Sequence, residues 1–226
     1  MPESLPLFPL QSVLFPGVLL PLHVFEERYR LLVQQLLHEP DESAREFGVI
    51  AIRQGWEVGP DAARSLHPIG CTALMRRVEN KEDGTYEVVS AGGRRFRLLE
   101  VDATSEPYLV GSVEWLPDEP DPGPETTLLA RRAGTLFEEY VAAVAGTGGA
   151  EVAAFELPED PTVLSYLVAS AALLTLDDRQ ALLERDSTRE RIRHELRLLR
   201  RETALVRELR VVPTSLAEIT LQAGTN

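Results

Sequence analysis

The residues that could do chemistry are few and scattered. His23, His38, His67 and His194 stand far apart, and none forms His-x-x-x-His or His-Glu-x-x-His, so no helix face presents a zinc-binding pair. The only cysteine, Cys71, excludes an internal disulfide and the Cys₄ and Cys₂His₂ zinc sites. It follows His67 by four residues, but Pro68 and Gly70 lie between them and rule out a helix that would set thiol beside imidazole. Cys71 therefore reads as a small apolar residue opening a buried strand, with a thiol nucleophile as the rival reading. No serine sits in Gly-x-Ser-x-Gly. Of 23 basic residues 22 are arginine, and the lone lysine, Lys81, lies in the polar stretch Asn80–Gly84. A P-loop needs Gly-Lys-Ser/Thr and is absent, and a Schiff base or Ser-Lys dyad would have to use a lysine in a turn. Carboxylates abound, yet no pair is set among apolar neighbours as a glycosidase requires. We assign no catalytic residue, no metal ligand and no cofactor, and expect a chain that acts by binding.

Two groups of side chains could bind. Arg76, Arg77, Arg94 and Arg97 flank a hairpin signal, Asp83-Gly84, and would gather if the flanking strands pair. Their expected partners are nearby acids such as Glu79, Glu87 and Glu100, with anion or RNA contact as the weaker alternative. The second group is the most apolar stretch of the chain, Leu14–Phe25, which is interrupted by Pro16 and Pro21. Part of it must be core. Phe15, Val18, Leu19, Leu20, Leu22 and Phe25, with Trp56 from a loop, are the candidate contacts for unfolded or apolar protein segments.

Charge limits the partners. Thirty-six acids against 23 bases give −13 and a pI near 4.8. Such a surface repels phosphate backbones and anionic lipid, so nucleic-acid and membrane-surface binding are not expected. No apolar run reaches the roughly 18–20 residues of a membrane span. The N-terminus lacks the basic and apolar regions of a secretory signal, so the expected compartment is cytoplasmic.

The elements that must position these groups fall into an α+β order. Residues 1–116 carry short apolar runs that read as about six or seven strands: 5–10 and 13–15, broken by prolines and suited to edge strands or bends, then 19–24, 48–52, 71–78, 86–91, 95–101 and 109–116. Phe25, Tyr29, Leu32 and Leu36 mark one helix among them. Gly92-Gly93 reads as a tight turn between two strands. A small barrel closing on itself fits this pattern. Residues 117–127 hold four prolines and four acids and read as an extended linker. Residues 128–210 read as four helices, and 211–226 as a mobile tail. The first helical face runs from Leu129 to Val144. Asp160-Pro161 caps a second helix with Val163, Leu164, Leu167, Ala171 and Leu174 inward. Asp177-x-x-Gln180 and Ser187-x-x-Glu190 read as capping boxes, the latter opening a long helix with Ile192, Leu196, Leu199, Thr203 and Val206 as its seam. Its arginines, including an Arg191–Glu195 pair, read as a self-paired surface, with docking of an acidic partner as the alternative.

Several segments together resemble the Lon substrate-binding domain, the N-terminal domain type of ATP-dependent Lon proteases. They are Leu5-Pro-Leu-Phe-Pro-Leu10, Leu14-Phe-Pro-Gly17, Leu20-Pro-Leu-His-Val-Phe-Glu-Glu-Arg-Tyr29, Ile69-Gly-Cys-Thr-Ala73, Gly93-Arg-Arg-Phe-Arg97 and Gln180-Ala-Leu-Leu-Glu184. The resemblance covers about residues 5–210. It implies a PUA-like β pseudo-barrel lobe, a helical lobe and a role in engaging unfolded or damaged protein segments; an adaptor that docks on another protease or ATPase through the arginine-rich helix is the alternative. It supplies no catalytic residue to carry over. Lon's Ser-Lys peptidase and ATPase find no match in the lysine count, and the single cysteine excludes the zinc module of cereblon-type relatives.

Overall fold

Glycine and proline set the course of the strands. The computed structural model describes residues 2–53, 65–118, 123–148 and 156–209, and it divides into two units, Met1–Pro117 and Asp118–Asn226. The first holds β1 (Glu3–Leu10), β2 (Leu19–Val24), α1 (Glu27–Leu37), a short 3-10 turn (Glu42–Ala44), β3 (Glu46–Ala51), β4 (Ile69–Asn80), β5 (Tyr86–Asp102) and β6 (Val110–Leu116). The strand order is β2-β5-β4-β3-β1-β6, and β5 also pairs with β6. Among the described residues, five strands thereby close a ring and β2 hangs from it as an edge. The β1–β3 pair is parallel and all the others are antiparallel.

Ring closure leaves a narrow interior. Leu5, Leu7, Ile50, Phe96 and Val113 fill it, each buried. Three glycines make the room: a Cβ on Gly48 would lie 2.9 Å from the Phe96 ring, one on Gly70 would lie 2.4 Å from it, and one on Gly111 would lie 2.9 Å from Leu98. A second cluster joins Leu22, Val24, Val88 and Met75 to the buried face of α1, namely Tyr29, Leu32, Val33 and Leu36. Phe8 stacks on Tyr29 with centroids 4.0 Å apart.

Two expectations change here. Gly92-Gly93 is no turn: it lies within the continuous β5, and β2 and β6 pair with opposite halves of that strand. Of the two readings left open for residues 13–15, edge strand or bend, the structure takes the one without a strand, and Val13, Leu14 and Phe15 are buried. Phe25 precedes α1 and is exposed, because helical φ/ψ begins only after Glu26, which occupies the N-cap position. The Asp83-Gly84 hairpin is present: Gly84 has φ +79° and Lys81 N–H donates to Thr85 O.

The second unit holds α2 (Gly123–Gly148), α3 (Pro161–Ala171), α4 (Leu176–Leu183) and α5 (Thr188–Leu209). The acidic, proline-rich stretch yields to helix at Gly123, earlier than expected, with Pro124 in the first turn, where its missing N–H costs nothing. Asp160 Oδ1 caps α3 by accepting from Thr162 and Val163 N–H, both at 2.8 Å. Thr175, not Asp177, caps α4 by accepting from Asp178 N–H. Ser187 Oγ accepts from Glu190 N–H at 3.2 Å, as the capping box requires. Val163 and Ala171 are exposed rather than inward. The seam residues Ile192, Leu196, Leu199, Thr203 and Val206 are all buried. Among the described residues no helix is long and apolar enough to cross a membrane.

Arg191 and Glu195 are not surface residues, because the third and fourth positions along a helix bring them onto the buried side of α5. Arg191 has 0% exposure; its Nε donates to Ser165 Oγ at 2.8 Å, and its guanidinium lies 3.9 Å over the Tyr166 ring. Glu195 is 1% exposed, and among the described residues neither carboxyl oxygen has a hydrogen-bond partner. Burial pushes its carboxyl well above the ordinary carboxylate range, the Arg191 charge opposing. The unfolded chain ionises this group at its ordinary value. The protonated form's contribution is therefore complete below that value and is lost as pH climbs toward the folded-state value. Glu195→Gln should stabilise the unit near neutrality. In urea melts at about pH 5 and pH 8, the variant's advantage should be larger at the higher pH. An equal advantage at both would mean that the carboxyl is ionised in the fold.

Candidate binding surface

A strand half-buried on one face should alternate apolar and polar residues, and β2 departs from that rule. Leu20, Leu22 and Val24 point inward: Leu22 and Val24 are core, and Leu20 packs against it. The opposite face carries Leu19, Pro21 and His23, all exposed, with Phe25 just beyond the strand. Leu19 is 64% exposed and Phe25 42%, large values for apolar side chains on an ordered strand and its exit. His23 Nδ1 lies 2.8 Å from Glu87 Oε1, and its ring stacks near Phe25 with centroids 5.9 Å apart. Cross-strand pairing extends the face, because paired residues point the same way. Leu19 pairs with Ala91, Ala91 with Leu74, and Pro21 with Val89, and these three neighbours are half-buried. An apolar centre of Leu19, Pro21, Leu74, Val89 and Ala91 is rimmed by His23, Glu87 and Arg77.

The sequence candidates divide accordingly. Leu19 and Phe25 are open to a partner. Val18 and Leu20 are half-buried against the core. Phe15 at 0% and Leu22 at 5% are core residues, so the expectation that they offer contact surface is corrected: packing already takes their area. Trp56 lies outside the described residues. Leu74, Val89 and Ala91 escaped sequence reasoning, since only strand register places them beside Leu19.

The arginines are drawn onto acids. Arg94 donates to Glu46 at 2.7 Å and lies 3.7 Å over the Trp115 ring. Arg97 lies 3.8 Å from Glu114, and Arg77 3.9 Å from Glu79. Arg76 is exposed on β4. Among their partners, Glu79 was expected, whereas Glu46 and Glu114 come from β3 and β6 and were not. Cys71 is wholly buried, and its thiol donates to the carbonyls of Thr72 and Gly93 at 3.4 and 3.8 Å. It sits as the small apolar residue of a buried strand that its sequence context implied. Among the described residues no three His, Cys, Asp or Glu side chains cluster as a metal site would require.

This mixed α+β fold, with a six-stranded sheet and five helices among the described residues, is that of Lon N-terminal domains. It is similar to the crystal structure of a Lon N-terminal domain protein from Xanthomonas campestris, with a TM-score of 0.63 and 27% identity over 86% of this chain and 98% of that one. The N-terminal domain of the Mycobacterium avium complex Lon protease shares the fold at a TM-score of 0.60 and 18% identity, covering 89% of this chain and 98% of that one. The chain belongs to the ATP-dependent protease La (LON) substrate-binding domain family, whose model matches residues 4–201. Lon protease 2 of Syntrophobacter fumaroxidans is 29% identical over 198 residues, 86% of this chain and 24% of that protein. Lon protease 2 of Myxococcus xanthus is 27% identical over 209 residues, 92% of this chain and 24% of that protein. The chain thus spans about a quarter of the length of the curated relatives it matches.

Proposed function

We propose that this chain is a non-catalytic module that engages unfolded or apolar segments of other proteins in protein quality control, in the cytoplasm. The observation that carries the reading is the exposure of Leu19 and Phe25 on the outer side of β2, where a solvated strand would present polar side chains. Family membership supports it, since these domains are named for substrate binding. The closed ring of strands supports reading residues 1–116 as a PUA-like pseudo-barrel lobe, and the four helices from α2 to α5 support a helical lobe after it.

Two other readings have less support. A PUA-like nucleic-acid contact would need Arg94 and Arg97 free to meet phosphates, and Glu46 and Glu114 occupy them on a chain of charge −13. An adaptor docking through α5 would need its exposed arginines. Arg189 and Arg193 are bound to Glu125, and Arg201 to Asp178 and Glu202, which leaves Arg197, Arg200 and Arg207 exposed for such a partner.

The test is titration of a reduced, carboxymethylated model protein that stays unfolded, followed by fluorescence anisotropy. Binding rests mainly on buried apolar area, so the dissociation constant should be on the order of tens of micromolar. Leu19→Glu puts a charge at the apolar centre and should weaken binding roughly tenfold or more. Absence of binding by the wild type at high micromolar concentration would refute the reading.

A further inference from the structure

We infer that the bound segment is held by β2 as an added strand, its backbone pairing with the outward N–H and C=O groups of Leu19 and His23 and with the C=O of Pro21. This rests on the proposed engagement of unfolded segments and adds how they are gripped. β2 stands last in the strand order and, among the described residues, pairs only with β5. Gly92 N–H donates to Val18 O at 2.8 Å, which fixes the even residues of the segment toward β5 and the odd ones away from it. Pro21 agrees: it has no N–H, and at an outward position that loss costs β5 nothing. Among the described residues no backbone bond is made on the outward side of β2. The edge thus offers two donors and three acceptors in a row, beside the apolar face of Leu19 and Pro21.

The occupant these groups fit is an extended polypeptide with alternate apolar residues and flanking positive charge. A helix has spent its backbone groups internally, whereas an extended chain presents them every second residue. Residues opposite Leu19 and His23 would turn their own N–H and C=O to the edge and their side chains onto the outer apolar face. The first unit carries 11 bases against 17 acids, so lysine-flanked segments are attracted and acidic ones repelled. A second copy of the chain fits worse. Two β2 edges in full antiparallel overlap would set Pro21 opposite Pro21, two carbonyls with no donor between them, and would bring together chains of −13 each.

The experiment uses the full chain and a short peptide of alternating valine and serine ending in lysines, compared with two N-methylated forms. Methylating the valine amides, which would face β2, should weaken binding roughly tenfold or more, as expected for donors that can no longer pair. Methylating the serine amides should change it less than about twofold. Hydrogen exchange at the Leu19 and His23 amides should slow on binding, while exchange at Leu20 and Leu22 stays as it was. Equal affinity of the two methylated peptides would overturn the added-strand mode. If the unfolded model protein were still captured in a Leu19-dependent way, binding by side chains alone would stand. Concentration-dependent dimers that protect Leu19 and His23 without peptide would also overturn the mode, in favour of self-pairing.

Discussion

Gly92→Ala should unfold the first unit or leave it barely stable, at a cost on the order of 3 kcal/mol or more. A Cβ there would lie 2.0 Å from the Phe15 carbonyl oxygen and 2.9 Å from its carbonyl carbon. Backbone atoms cannot swing aside as a side-chain terminus can. Relief would require moving residues 15–18, and this would break the bonds from Gly17 N–H to Gly92 O and from Gly92 N–H to Val18 O, both 2.8 Å. Those bonds start the β2–β5 pairing. Phe15 itself is fully buried, so the segment has nowhere to retreat. Urea unfolding monitored by tryptophan fluorescence measures the loss. The control is Gly146→Ala in α2, where nothing lies within 4 Å: there the better helix former should be neutral or gain up to about 1 kcal/mol. A Gly92→Ala protein of wild-type stability would show that the close approach of β5 to residues 15–18 is not required.

Phe96→Ala should cost about 3–5 kcal/mol, the usual range for deleting a buried phenyl ring. The ring has 0% exposure and fills the strand ring against Leu5, Leu7 and Val113. Collapse cannot repair the void, because the walls of the strand ring are held by hydrogen-bonded pairing all round. The same geometry predicts coupling with Gly48, whose Cβ would meet the ends of Leu5, Leu7 and Phe96 at 2.8–2.9 Å. Gly48→Ala should therefore be less harmful in the Phe96→Ala background than alone, since one of the three obstacles is gone. A double-mutant cycle from urea midpoints reads this directly, and additive effects would place the ring elsewhere.

The elements were largely legible because their signals are local. β2 has the bounds that its apolar run implied, and Asp160-Pro161 caps α3 as those two residues demand. The α5 seam follows from spacing alone. The misread places are those where a distant backbone decides. Gly92-Gly93 has the composition of a turn, and becomes strand interior because β2, β4 and β6 pair along β5 there, with the Phe15 carbonyl and Thr72 hydroxyl where side chains would need room. Arg191 and Glu195 have the spacing of an exposed ion pair, and are buried because α3 supplies Ser165 and Tyr166 to receive the guanidinium.

The same division runs through the binding face. Residue types alone identified Leu19 and Phe25 as apolar candidates and removed disulfides, P-loops and two classes of zinc site, because each of those needs residues the chain does not have. Only the tertiary structure decided that Leu19 and Phe25 face solvent while Phe15 and Leu22 are core, and only register set Leu74, Val89 and Ala91 beside them. The physical reason is that a side chain's chemistry is fixed by its own atoms, while its exposure is fixed by whichever strand the chain brings alongside.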